Sequence, residues 1–205
     1  MCRRYALTLT PDAAREHFGY AETPDFPPRA EIEPGEPIAI VAAQPFARGA
    51  ERRFMLARWG LLPSFVKEPL PLIVNARAKS VLDKASFAPA FRRRRCLVPA
   101  SGFYAFAKRQ AFWVAAVDGA PLGLAGLYET YLHVSGSEID TACILTLEAN
   151  ATLAEICERM PVIVPQAAFS RWLDCETTSL EAACALLRPA PEGLLRATPF
   201  VRPVS

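Results

Sequence analysis

The sequence predicts an α+β fold: a single β-rich domain over residues 1–205, with curved, mostly antiparallel sheets and peripheral helices. Three observations carry this reading. Short apolar strand-like runs are separated by turn signals along most of the chain. Helical patterns fall between them without any regular β-α-β alternation. No repeat, low-complexity tract or domain boundary interrupts the chain, and 205 residues with 52% hydrophobic content suffice for one sizeable core.

Residues 5–9 alternate and read as a strand with Cys2 at its head. Thr10-Pro11-Asp12 combines a hydroxyl cap, a first-turn proline and an acid on the positive dipole end, so a helix should run to Phe18. Residues 21–37, with Pro24, Pro27, Pro28, Pro34 and Pro37, read as an extended loop. Strands follow over 38–43 and 53–61, the second ending at Trp59-Gly60. A proline-rich loop over 62–73 leads to a strand end that delivers Asn75-Ala76-Arg77. A short helix is expected over 84–92, then a strand over 96–106 broken at Ser101-Gly102. Residues 112–117 and 122–127 flank Asp118-Gly119, a hairpin signal. A strand over 142–147 precedes Thr152 and Glu155, whose spacing is a capping box for a helix to Arg159. A short strand over 161–164, a helix from Pro165 to Leu173, and a last helix capped by Thr178 and Glu181 and ending near Leu187 complete the chain.

A net charge of +2 excludes a strongly basic nucleic-acid coat, so an anionic partner must meet a local patch. The longest basic run is Arg92-Arg93-Arg94-Arg95, a solvated face or a phosphate contact. Six cysteines form no CxxC pair, and His17 and His133 lack ligand partners at zinc spacing. No signal-peptide pattern and no apolar run of membrane-spanning length occurs. The expectation is a reduced, cytoplasmic protein, nucleoid-associated when on DNA, that needs no metal and no cofactor.

Met1-Cys2 carries specific chemistry. Removal of Met1 exposes an α-amine of pKa about 7.7–8.0 beside a thiol of about 8.5, next to Arg3 and Arg4. Such a 1,2-aminothiol condenses with an aldehyde to a Schiff base and closes through sulfur to a thiazolidine. It is also an N-terminal nucleophile for amide cleavage.

Met1-Cys2 with Arg4-Tyr5, Trp59-Gly60-Leu61, Asn75-Ala76-Arg77-Ala78, Arg95-Cys96-Leu97-Val98-Pro99-Ala100 with Gly102-Phe103-Tyr104, and Arg159-Met160-Pro161-Val162-Ile163 resemble, in order and spacing, the SOS-response-associated peptidase family, or abasic-site processing proteins. The resemblance runs from Cys2 to Trp172. It implies a protein that binds single-stranded or junction DNA and links its N-terminal Cys to the aldehyde of an abasic site; a monomer is the separate expectation. The peptidase label then refers to self-removal of the residue before Cys2. Carried over by position, Cys2 is the nucleophile and Asn75 hydrogen-bonds the opened sugar. Arg4 and Arg77 meet phosphates, Trp59 and Gly60 line the channel, and Arg159 joins the DNA-binding set.

The chain departs from the family at two catalytic positions. Ala105 stands where a Glu general acid/base follows the Gly-Phe-Tyr stretch, and Cys157 stands where His precedes the Arg-Met-Pro stretch. Phe106 replaces a common Trp, Arg3 a Gly, Lys79 an acid, and Glu31 and Glu33 an Asn and an Ala. General acid/base help is worth about 10²–10⁴-fold in rate, so any crosslinking should be slow. Glu31 or Glu33 is a candidate substitute for the missing carboxylate. Two other readings stay open: a DNA-binding pseudoenzyme without crosslinking, and a reassigned pocket with Cys2 and Cys157 as a thiol pair.

Overall fold

The structure, a computed structural model, describes residues 3–22, 24–44, 51–66, 71–108, 110–133 and 135–201. Strand β1 (Tyr5–Leu7) precedes helix α1 (Pro11–Phe18), then come β2 (Arg29–Ile32), β3 (Pro37–Ala43), β4 (Arg52–Trp59) and β5 (Asn75–Arg77). Helix α2 (Ala88–Arg93) leads into β6 (Arg95–Ala100), β7 (Gly102–Ala107), β8 (Gln110–Ala116), β9 (Leu122–Leu132) and β10 (Glu138–Glu148). The last part holds α3 (Ala151–Ala154), β11 (Arg159–Pro161), β12 (Ile163–Val164), α4 (Phe169–Leu173), α5 (Leu180–Cys184) and β13 (Leu195–Phe200).

The larger sheet runs β11-β10-β4-β3-β6-β9-β12, and a further β9–β10 pairing closes β10, β4, β3, β6 and β9 into a barrel-like ring. Only β10 with β4 and β10 with β5 are parallel pairs in this sheet. The smaller sheet, β13-β8-β7-β1-β2, is antiparallel throughout. The α+β, mostly antiparallel expectation holds, with two sheets where one system was expected. The chain passes between them at Ser101, between β6 and β7. Gly102 is required there, because a Cβ would stand 2.5 Å from the Trp113 ring.

Local signals place α1 correctly. The Thr10 hydroxyl accepts from the Ala13 N–H at 3.3 Å, and Gly19, at φ +69°, closes the helix with an N–H bond to the Arg15 carbonyl. Its fully buried Phe18 stacks on Phe169 at 5.4 Å, a burial worth about 1.5–3 kcal/mol.

Elsewhere tertiary context overrides local pattern. The 21–37 loop contains β2, which adds to the edge of β1. Asp118-Gly119 does make a turn, with the Asp118 carboxylate accepting from the Ala120 N–H at 2.9 Å. The strands it joins separate, however: β8 pairs with β7 and β13, while β9 joins β6, β10 and β12. The reason lies in residues 122–127, all buried, which need cover on both faces. Gly123 admits the Phe169 ring and Gly126 the Cys96 sulfur.

The Thr152–Glu155 capping box is not formed. Asn150 is the cap of α3, which ends at Ala154, because the chain must return to pair Arg159 with Glu148 on β10. The expected 161–164 strand is two pieces. Val162 donates to the Leu145 carbonyl and accepts from the Ala125 N–H, both at 2.9 Å, carrying the chain from β10 to β9. Ser179, not Thr178, caps the last helix, its hydroxyl accepting from the Ala182 N–H at 3.1 Å. Strand β13 has no counterpart in the sequence reading. It is an edge strand, where Pro199 is tolerated.

Candidate nucleic-acid site

Asn75 is held in place by the segment before it. The indole N–H of Trp59 donates to the Val74 carbonyl at 3.0 Å, and the same carbonyl accepts from the Ile144 N–H at 3.1 Å. The Gly60 N–H bonds the Ala142 carbonyl and the Leu61 N–H bonds the Ile73 carbonyl, at 2.8 and 3.0 Å. Gly60 sits at φ +144°, where an added Cβ would lie 2.7 Å from Leu72, so glycine is needed for both conformation and space. The Trp-Gly-Leu stretch is thus a clamp on residues 72–74. Trp59 itself is fully buried, with Tyr5 edge-on at 5.2 Å. This corrects the expectation that Trp59 contacts DNA: a ring with no exposed surface positions Asn75 and β1 instead.

Strand alternation then sets the exposed face. Asn75 and Arg77 share one side of β5, and Ala76, between them, enters the core. In register on β10 and β11, Thr146 stands beside Arg77, and Glu148 beside Arg159. The Thr146 hydroxyl donates to the Ala76 carbonyl at 3.3 Å, while the Arg159 guanidinium donates to the Thr146 carbonyl at 2.6 Å and to its hydroxyl at 3.1 Å. Arg159 also stands 3.7 Å from Glu148, and its side chain is only 13% exposed. Its first task is tying β11 to β10; Arg77 is the more open cation of this face.

Beyond Arg159 lies a cavity of about 500 Å³ between the end of β7 and the turn after α3, lined by Phe106, Lys108, Ile156, Cys157 and Arg159 among others. Burial raises the Cys157 thiol pKa, opposed by the Arg159 backbone N–H. The thiol is therefore protonated at neutral pH and a poor base. Ala105 belongs to the buried core and offers only a methyl group. Ala105 thus lies within β7, and Cys157 lines the cavity at the end of that strand.

The head of β1 meets this region from the other side. The Arg4 carbonyl accepts from the Tyr104 N–H at 2.9 Å. The Arg4 guanidinium bonds Glu33, stands 3.8 Å from Glu31, and lies 5.9 Å from the Phe106 ring centre. Glu31 and Glu33, expected from the sequence as candidate carboxylates in a loop, reach Arg4 from strand β2 and the position just after it. Cys2, the expected nucleophile, lies outside the described residues.

The basic run divides. Arg94 chelates the buried Glu129 carboxylate at 3.0 and 2.9 Å. Arg95 is 1% exposed and donates to the carbonyls of Phe91, Trp172 and Asp174, with the Phe91 and Trp172 rings alongside. Burial lowers its pKa. Arg92 and Arg93 remain exposed, so half of the run is structural. Among the described residues, no group of three or more His, Cys, Asp or Glu side chains is placed to hold a metal. No described helix is long and apolar enough to cross a membrane.

The family model described as SOS response associated peptidase matches residues 1–205. The abasic site processing protein YoaM of Bacillus subtilis is 29% identical, over 92% of this chain and 86% of its own length. The abasic site processing protein HMCES of Xenopus tropicalis is 25% identical, over 92% and 70%. Among solved structures, a Bacteroides thetaiotaomicron protein superposes with a TM-score of 0.87 at 21% identity, covering 98% of this chain and 93% of that one. A Bordetella bronchiseptica protein superposes at 0.83 with 25% identity, over 98% and 100%.

Proposed function

The chain belongs to the SOS response associated peptidase family, and from that premise we propose that it binds abasic-site or single-stranded DNA and links Cys2 covalently to the aldehyde of the abasic sugar. The observation that carries this reading is likeness along nearly the whole chain to relatives described as abasic site processing proteins. The side of β5 that carries the part-buried Asn75 and the exposed Arg77 supports it. A carboxamide can bond the opened sugar, and a guanidinium suits phosphate geometry. Residues 1–205 act as one unit in this reading, and the peptidase step is the removal of Met1.

The chemistry is slow in this chain. A methyl at 105 and a protonated thiol at 157 transfer no protons in the pH range where the α-amine of Cys2 is nucleophilic. Condensation of an aminothiol with an aldehyde still proceeds without them. The same two residues favour one alternative, a DNA-binding protein that forms no bond.

The test is a time course with a single-stranded oligonucleotide carrying one abasic site, read on denaturing and native gels. A band that survives denaturation and disappears in Cys2→Ala, while native-gel binding persists, is the expected outcome. Binding without any stable band establishes the alternative. A stable band in Cys2→Ala overturns the N-terminal assignment. Intact mass spectrometry reads removal of Met1 directly.

A further inference from the structure

We propose that Glu33 and Glu31 compete with DNA phosphate for the Arg4 guanidinium, a brake on binding built into β2 and the turn after it. The inference rests on the DNA-binding part of the reading above and requires no crosslink. Strand pairing aims the three side chains at one another. Tyr5 on β1 pairs with Ile32 on β2, and both are fully buried. Alternation then sends their neighbours, Arg4 on one strand and Glu31 and Glu33 on the other, to the opposite side.

Both terminal nitrogens of the Arg4 fork face these acids. Nη2 donates to Glu33 Oε1, and Nη1 stands 3.8 Å from Glu31 Oε2. That edge of the guanidinium is the one a phosphate takes when it is bound bidentately. The Phe106 ring centre lies 5.9 Å from the guanidinium carbon. Phe106 in turn lines the cavity of about 500 Å³ together with Lys108 and Arg159. Arg4 thus joins the rim of a cavity that holds two further cations, with its own charge already committed to β2.

The acids are braced in place. The Glu33 N–H donates to the Glu36 carboxylate, which also accepts from Arg29. The Gly35 N–H bonds the Trp59 carbonyl at 2.8 Å, and the Trp59 N–H bonds the Glu36 carbonyl at 2.9 Å. The strand end that clamps residues 72–74 therefore also orders the turn that carries Glu33. A loose surface ion pair loses much of its strength to the ordering of two long side chains. Here the backbone is ordered beforehand, and Arg4 and Glu31 are only 24% and 26% exposed. Handing Arg4 to a phosphate breaks this pair and leaves two carboxylates near the DNA backbone, and both costs lower affinity.

The experiment measures native-gel affinity for an undamaged single-stranded oligonucleotide over a salt series. Wild type, Glu33→Gln, Arg4→Ala and the double variant form a cycle, with urea midpoints confirming that each is folded. Glu33→Gln should bind about threefold more tightly or better, the scale of one released ion pair. Its log–log salt slope should steepen by about 0.7, for one further phosphate neutralised. In the Arg4→Ala background the same change should gain less than about 1.5-fold, because no guanidinium remains to be released. Glu31→Gln should act in the same direction and more weakly. An equal gain in both backgrounds overturns the proposal, since the loss of any negative charge then has the same effect. Unchanged affinity in Glu33→Gln overturns it as well, since Arg4 then meets phosphate without hindrance or not at all. Wild type that binds the oligonucleotide at no salt concentration overturns the DNA-binding reading, and this inference with it.

Discussion

Around Trp59, everything that positions Asn75 is packing or main-chain hydrogen bonding. One indole N–H, the backbone N–H groups of Leu61 and Ile144, and one glycine without room for a Cβ fix residues 72–74. Around Cys157, the facing parts are chemical and open: a half-buried thiol, a 45% exposed Phe106 and a cavity of about 500 Å³. The first region places a side chain, and the second would be asked to move protons. At the second, the resemblance to the family leads one to expect a carboxylate and an imidazole where this chain has Ala105 and Cys157. Packing errors threaten the whole fold, whereas an altered proton donor costs only rate. That asymmetry lets a fold outlast part of its chemistry.

Substitution separates the two regions. Trp59→Ala should cost about 3–5 kcal/mol in urea unfolding, because a large, fully buried ring is removed. Trp59→Phe should cost about 1 kcal/mol and leave oligonucleotide affinity intact. A loss of affinity without loss of stability would restore Trp59 as a DNA contact. Phe106→Ala, on the open wall, should change stability by less than about 1 kcal/mol.

Gly60→Ala should destabilise by roughly 2 kcal/mol or more, since it combines strained φ with overlap on Leu72. A wild-type urea midpoint would mean that residues 72–74 yield easily and do not fix Asn75.

Arg77→Ala and Arg159→Ala divide one face by role. The first should flatten the salt dependence of single-strand binding by about 0.7 in log–log slope, with stability changed by less than about 0.5 kcal/mol. The second should also cost about 1–3 kcal/mol of stability, because its bonds to Thr146 are lost. Equal effects of both on stability would remove the distinction.

A separate effect lies in the barrel at alkaline pH. Burial pushes the Cys143 thiol up to about 12 and raises Cys96 as well. The native state therefore holds these protons longer than the unfolded chain, whose thiols titrate near 8.5. The Cys143 contribution to stability is complete below that pH and declines as pH rises toward 12, by up to about 1.4 kcal/mol per unit, and Cys96 acts in the same direction. Cys143→Ala should flatten this decline, as read by urea unfolding across pH 8–11.

Much of this was legible in the residues, and the failures share a cause. Thr10, Pro11 and Gly19 mark α1 because a cap and a terminator act within one turn. The motif residues were identifiable because their types are chemically specific. Trp59 was expected in a channel, Arg95 in a solvated run and residues 29–32 in a loop, since nothing within a few positions says which surface each will meet. The Thr152–Glu155 pair has the right spacing for a capping box, yet β11 ends the helix before it forms. In each case tertiary packing or strand pairing decided.

The sequence by itself determined local features of this protein: a cysteine at position 2, an Asn-Ala-Arg strand end, and a methyl and a thiol at positions 105 and 157. Covalent identity and short-range hydrogen bonding suffice for those. Only the tertiary structure decided that β8 and β9 part into different sheets, that Arg95 is enclosed by carbonyls, and that β2 brings Glu31 and Glu33 to Arg4. Burial and pairing depend on residues tens to more than a hundred positions apart. That sum of contacts is settled only when the barrel closes.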